Sequence, residues 1–153
     1  MVDTPTHSQL VEAVADHIAR YRISIREVIQ HVLCPGKSCA AAVQKLMDLG
    51  RIQVCARSAR MAGKTSYYQL THAEVMRRDL PVARARIRGT QSLPVDLAIL
   101  WACCMTQRAR LRADRRDLTE LFRRLGLSGN PPKGEHCMER GELRGKPWVR
   151  ILR

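Results

Sequence analysis

Several stretches hold residue types that could do chemistry. Gly36-Lys37-Ser38 and Gly63-Lys64-Thr65 both carry the Gly-Lys-hydroxyl ending of a phosphate-cradling loop. That loop also needs a glycine five residues earlier, where this chain has His31 and Ser58, and it needs a strand before it and a helix after it. Nucleotide binding is therefore not expected at either. His31, Cys34, Cys39 and Cys55 could be forced into a four-ligand set, but the six cysteines contain no CxxC pair, and Cys103 and Cys104 are adjacent in an apolar run. Free thiols and no metal are the expectation. His136 beside Cys137 could suggest a nucleophile and its base, yet neighbours on a strand point to opposite faces. Asp96, Asp114, Asp117 and Glu120 lack the spacing of a nuclease metal site. The reading is a protein without catalytic residues or cofactor, not an enzyme.

What the residues do supply is positive charge. The 153 residues hold 27 Lys and Arg against 14 Asp and Glu, a net +13 with a pI near 10.4. Such a balance points to a polyanion, most simply double-stranded DNA, because each phosphate contact releases condensed counterions. The charge is uneven, since residues 1–76 carry 9 basic and 6 acidic side chains and residues 77–153 carry 18 and 8. Aromatic residues make up only 4%, which disfavours RNA recognition by base stacking. A 45% apolar fraction suits a folded chain. The longest apolar patch, Leu97 to Met105, covers about half a bilayer-spanning helix, so no membrane association is expected. Asp3 and Pro5 stand where a secretory signal would be basic then apolar, which makes a reducing cytoplasm the expected location.

The elements that would position these charges can be read from periodicity. Ser8 is a plausible N-cap for a helix to about Arg20, with Val11, Val14, Ala15, Ile18 and Tyr21 on one face. Ile23 suits a short strand. Ser24 with Glu27 makes a capping box for a second helix, whose inward face is Ile25, Val28, Ile29 and Val32. Cys34-Pro35-Gly36 must end it. A third helix from about Ser38 to Leu49 turns Val43, Leu46 and Leu49 inward and Lys37, Ser38, Ala40, Ala41, Gln44 and Lys45 outward. Gly50 closes it. Ile52, Val54 and Ala56 then alternate with Arg51, Gln53, Cys55 and Arg57 as a strand, residues 58–64 form a basic hairpin tip, and Tyr67 to Leu70 return as its partner.

Val43-Gln-Lys-Leu46-Met-Asp-Leu-Gly50-Arg-Ile52, followed by a basic hairpin and Tyr67-Tyr68-Gln69-Leu70-Thr71, resembles the recognition helix and wing of bacterial winged helix-turn-helix DNA-binding proteins. The resemblance covers residues 7–72. It implies that Lys37, Ser38, Gln44 and Lys45 meet DNA through the helix, and Arg57, Arg60 and Lys64 through the wing.

From Thr71 to Thr90 the chain reads as a connector. A turn or two of helix over 72–78 is broken at Pro81, and Arg84, Arg86 and Arg88 alternate as in an extended arm that could contact a groove or backbone. A second unit begins at Leu93 with Pro94 in a helix's first turn and Leu97, Ala98, Leu100, Trp101, Cys104 and Met105 along it; the helix around Trp101 could supply a dimer interface or the core of this unit, the core being preferred. Arg108, Arg110 and Arg112 suit a short strand. Asp114 or Asp117 opens a helix with Leu118, Leu121, Phe122 and Leu125 inward and Arg115, Arg116, Arg123 and Arg124 outward, and Gly126 stops it. The order helix, basic strand, helix suggests a divergent repeat of the first unit. No third helix follows Leu127. A hairpin of His136 to Glu139 and Trp148 to Leu152 around residues 141–145 stands in its place, with Arg110, Arg112, Arg115, Arg116 and Arg144 as phosphate contacts.

The expected fold is thus α+β and mainly helical: a winged helix-turn-helix over 1–72, a basic linker over 73–92 and a basic winged-helix-like domain over 93–153. The expected function is sequence-specific or semi-specific binding of double-stranded DNA as a transcriptional regulator, with a homodimer as one arrangement. The alternative is an adaptor or inhibitor that grips a protein or nucleoprotein complex, as in plasmid maintenance, replication or evasion of phage defence. The alanine-rich third helix favours that alternative.

Overall fold

Thr6, rather than Ser8, caps the first helix, α1 (His7–Tyr21): its hydroxyl accepts from the Gln9 amide at 3.3 Å, and the Gln9 side chain accepts from the Thr6 amide at 2.7 Å. This computed structural model describes residues 6–55, 66–86, 92–133 and 135–152. It is an α+β protein with six α-helices and two antiparallel three-stranded sheets among the described residues. The chain divides into two compact units, residues 1–100 and 101–153. No helix among the described residues is long and apolar enough to cross a membrane.

In the first unit α1 is followed by β1 (Ser24–Ile25), α2 (Arg26–Leu33), α3 (Ala40–Asp48), β2 (Ile52–Val54) and β3 (Tyr67–Leu70). The strand order is β1-β3-β2, both pairings antiparallel, with Ser24 opposite Tyr68 and Ile52 opposite Leu70. The core joins Val11, Val14, Ala15 and Ile18 of α1 to Ile29, Val43, Leu46, Ile52, Tyr68 and Leu70, all buried. Burying several large aliphatic side chains at about 25 cal/mol per Å² is the main term holding the helices on the sheet. Tyr67 and Gln69 are buried as well, so both faces of β3 are covered.

Several expectations shift by a residue or a face. Ser24 does not cap α2. It lies in β1, where its hydroxyl meets His17 Nε2 at 2.9 Å, and Ile25 takes the N-cap position without a side-chain cap. Val32 is 42% exposed, because α2 buries only the narrow stripe of Val28 and Ile29. Leu49 is 52% exposed, because α3 stops at Asp48 and Gly50, at φ 63°, turns the chain away; Cys39, Ala42, Val43 and Leu46 make the inward stripe instead. Strand alternation also breaks, since Val54 on the edge strand is 41% exposed and Cys55 is buried.

The start of the expected linker packs on the same core. α4 (His72–Arg77) is capped by Thr71 and contributes Val75, while Leu80 and Ala85 pack alongside. Residues Val82–Ala85 form a 3-10 turn rather than an extended arm. Arg84 is half-buried and donates from Nη1 to the Ala19 carbonyl at 2.5 Å, which holds it to the first unit. α5 (Ser92–Cys104) follows. Its buried residues are Leu93, Asp96, Leu100 and Cys103, and Trp101, one step off that stripe, is 57% exposed rather than core.

The second unit contains β4 (Arg110–Ala113), α6 (Arg115–Arg124), β5 (His136–Leu143) and β6 (Lys146–Leu152). Asp114 caps α6 in a capping box with Asp117. Leu118 packs on Ala113 and Met138, with Leu121 and Ile151 beside them; Leu125 is exposed, since the helix ends at Arg124. The hairpin is longer than expected: Leu143 pairs with Lys146 across a two-residue turn, Arg144 at φ 52° and Gly145 at φ 73°. The strand order is β4-β5-β6, so β4 pairs with the strand next in sequence, whereas β1 of the first unit pairs with the last. The expected repeat does not extend to sheet topology, and among the described residues no third helix stands between α6 and the hairpin.

Candidate nucleic-acid interface

The turn between α2 and α3 is built from both sides. Cys34 closes α2, Gly36 adopts φ 76°, and the Lys37 amide donates to the Cys34 carbonyl at 2.9 Å. Cys39 is fully buried, with its thiol 3.6 Å from the Arg26 carbonyl, so the turn is pinned to the start of α2. Lys37 and Ser38 therefore stand just before α3 rather than on it. The Ser38 hydroxyl accepts from the Ala40 amide at 3.2 Å. Further along the helix, Gln44 and Lys45 are exposed with Ala41, and Gln44 Nε2 donates to Asp48 Oδ1 at 2.8 Å. Lys37 and Lys45 are exposed and make no ion pair among the described residues. All four helix-side candidates are exposed, two in the turn and two on α3. Gln44 is tied to its own helix, which lowers its freedom to read a base.

The hairpin-tip candidates Arg57, Arg60 and Lys64, and Arg88 of the arm, lie outside the described residues. Arg86 is exposed just after the 3-10 turn.

In the second unit the arginines sort into two kinds. Arg110 and Arg112 turn toward acids on or just before the neighbouring strand: Arg110 Nε donates to Glu139 at 2.9 Å, and Arg112, 6% exposed, donates to Glu135 at 2.5 Å. Glu139 stands directly opposite Arg110 in register, and the Arg110 hydrogen bond holds its carboxyl below the usual range. These two were expected to hold phosphate; the sheet register commits them to internal ion pairs instead. Arg115, Arg116 and Arg144 are exposed, the first two in the first turn of α6 and the third at the hairpin tip.

A charged cluster escaped the sequence reading. Glu74, 1% exposed, accepts hydrogen bonds from Arg51 at 2.9 Å, from Arg77 at 2.8 Å and from Arg78 at 2.6 Å. Arg51 also binds Glu12 at 2.5 Å, and Arg78 binds Asp16 at 2.5 Å, which ties α1, the turn after α3 and α4 together. Burial alone would raise the Glu74 carboxyl, but the donors from Arg77, Arg51 and Arg78 outweigh it and hold it well below the carboxylate range. Only the Glu74 to Arg77 and Arg78 spacing on one helix is visible in the sequence. Three of the chain's arginines are thus structural.

Among the described residues no group of three or more His, Cys, Asp or Glu is placed to hold a metal. No protein-family model, curated protein or solved structure matches the chain.

Proposed function

We propose that the chain is a non-enzymatic protein that binds double-stranded DNA, with the first unit acting as a winged helix-turn-helix and α3 as the element presented to the major groove. The observation that carries this reading is the element order α1-β1-α2-α3-β2-β3 with strand order β1-β3-β2, combined with an outward face of α3 and its preceding turn that bears Lys37, Ser38, Gln44 and Lys45. A helix with one face in the core, an exposed lysine before its start and another in its middle suits approach to phosphates and base edges. The net charge of +13 supports the same partner. Arg115, Arg116 and Arg144 would add backbone contacts. Transcriptional regulation from the cytoplasm, as a monomer or a homodimer, is the biological role this reading implies.

The test is fluorescence anisotropy with a short labelled duplex between about 50 and 200 mM salt. Binding that weakens steeply as salt rises is expected, and no binding at the low end, or binding without a salt slope, would sink the reading. One observation favours a second reading, an adaptor for a protein or nucleoprotein complex: the exposed face of α3 is small and carries Ala41 and a Gln44 held by Asp48. Replacing Lys37, Lys45 and Lys64 together discriminates, because a regulator loses DNA binding and activity while an adaptor keeps its activity.

A further inference from the structure

We propose that the second unit carries a docking site for an acidic, apolar peptide segment of a partner protein, in the cleft between the C-terminal end of α6 and the β5–β6 hairpin. α6 covers the sheet only as far as Met138 and Ile151. Beyond them, on the same face, Arg140 and Val149 are paired across the hairpin and not covered by the helix. The result is a cleft of about 350 Å³ lined by Leu121, Arg124, Leu125, Arg140, Trp148 and Val149. That volume accommodates one or two large side chains.

The walls decide the occupant. Leu125 is 57% exposed, Val149 37%, and Leu127, just past the helix, 51%. Leu125 and Val149 line the cleft itself, and exposed apolar side chains of that size mark a surface that gains by being covered. On the opposite face of the hairpin the Trp148 ring lies so close over Gly141 that a Cβ there would come within 2.4 Å of it, with the Arg150 guanidinium 5.6 Å from the ring centre, which stiffens the two strands that floor the cleft. Arg124 and Arg140 are both exposed at the rim and make no salt bridge among the described residues. Glu120, one turn before Arg124, takes its ion pair from Arg123 instead, and Glu142, on the face of Arg140, pairs with neither. A phosphate backbone would satisfy the two guanidinium groups but leave the leucines and valine in water. A second copy of this chain would bring like charge against like. A segment with Leu, Ile or Phe anchors flanked by Asp or Glu satisfies both features.

The experiment selects phage-displayed random peptides on the immobilised full chain, with the Val149→Asp variant as counter-target, then measures the enriched peptides by anisotropy. Enriched peptides should combine acidic and large apolar residues and bind the Arg124→Glu/Arg140→Glu variant at least about tenfold more weakly. Both substituted arginines lie at the surface, and circular dichroism checks that the variant folds. Failure to enrich over the Val149→Asp protein, enrichment of peptides lacking acidic residues, or equal affinity for the doubly substituted chain would overturn the proposal. So would loss of duplex binding in that variant with no peptide selected, which would assign the cleft to nucleic acid.

Discussion

Arg51 and Glu74 meet at 2.9 Å across 23 residues of sequence, and their contact joins the turn after α3 to α4. Arg51 is held protonated by its hydrogen bonds to Glu12 and then Glu74, and Glu74 is held ionised by three arginines. The turn that ends α3 is therefore tied to a carboxylate on α4, outside the α2–α3 segment.

Replacing Glu74 with Gln should cost about 3 kcal/mol, the scale for removing one partner from a buried ion pair. Urea unfolding at pH 7 measures it, and a loss below about 1 kcal/mol would mean that the cluster is solvated. The carboxyl titrates lower in the folded chain than in the unfolded one. Its contribution is therefore complete above the ordinary carboxylate range and is lost as pH falls through the folded value.

His17 gives a second pH signature in a different window. It is buried, meets Ser24 at 2.9 Å, and packs against Tyr21 with ring centres 4.8 Å apart; burial pushes its imidazole down to about 4. The neutral form is favoured on folding, so stability is full above about pH 6.5 and falls as pH drops toward 4, by up to about 3 kcal/mol. Urea midpoints of the wild type at pH 7 and 4.5 should differ more than those of His17→Gln. Parallel behaviour of the two proteins would refute the assignment.

The basic residues should separate by role. Lys37→Glu with Lys45→Glu should weaken duplex binding and flatten its salt dependence, at about one unit of slope for each phosphate the protein no longer holds. Arg112→Gln should instead lower the thermal midpoint, since it leaves Glu135 without this guanidinium, and leave the salt slope unchanged. A changed slope in Arg112→Gln would return that residue to the interface.

Gly141→Ala should dislodge Trp148, because the added methyl meets Trp148 Cζ2 at 2.4 Å. A cost of about 1 kcal/mol is expected for forcing the ring aside. In a Trp101→Phe background, which leaves Trp148 as the reporter, emission should shift to the red. An unchanged spectrum would mean that the ring has room.

Much of the first unit is legible because its signals are local. Val11, Val14, Ala15 and Ile18 recur at helical spacing, and Pro35-Gly36 can only interrupt a helix. Helix ends are less legible: Thr6 and Ser8 are both good caps, and the choice rests on a reciprocal bond with Gln9. The directions of Leu49, Leu125 and Trp101 are not legible for a related reason. Each lies at a helix end or one step off the buried stripe, where periodicity no longer determines direction.

Composition and periodicity are enough to establish a basic chain with amphipathic helices, two short-stranded segments and no apolar span of membrane length. Those properties depend on residues within a few positions of each other. Which arginines remain available to a partner is decided only by tertiary structure. Arg110 and Arg112 look like any basic strand residues until the register sets Arg110 opposite Glu139 and Arg112 within reach of Glu135, and Arg51 looks exposed until α4 brings Glu74 beside it. A charge's partner is chosen by distance in space, and sequence spacing carries that distance only within one helix or one strand.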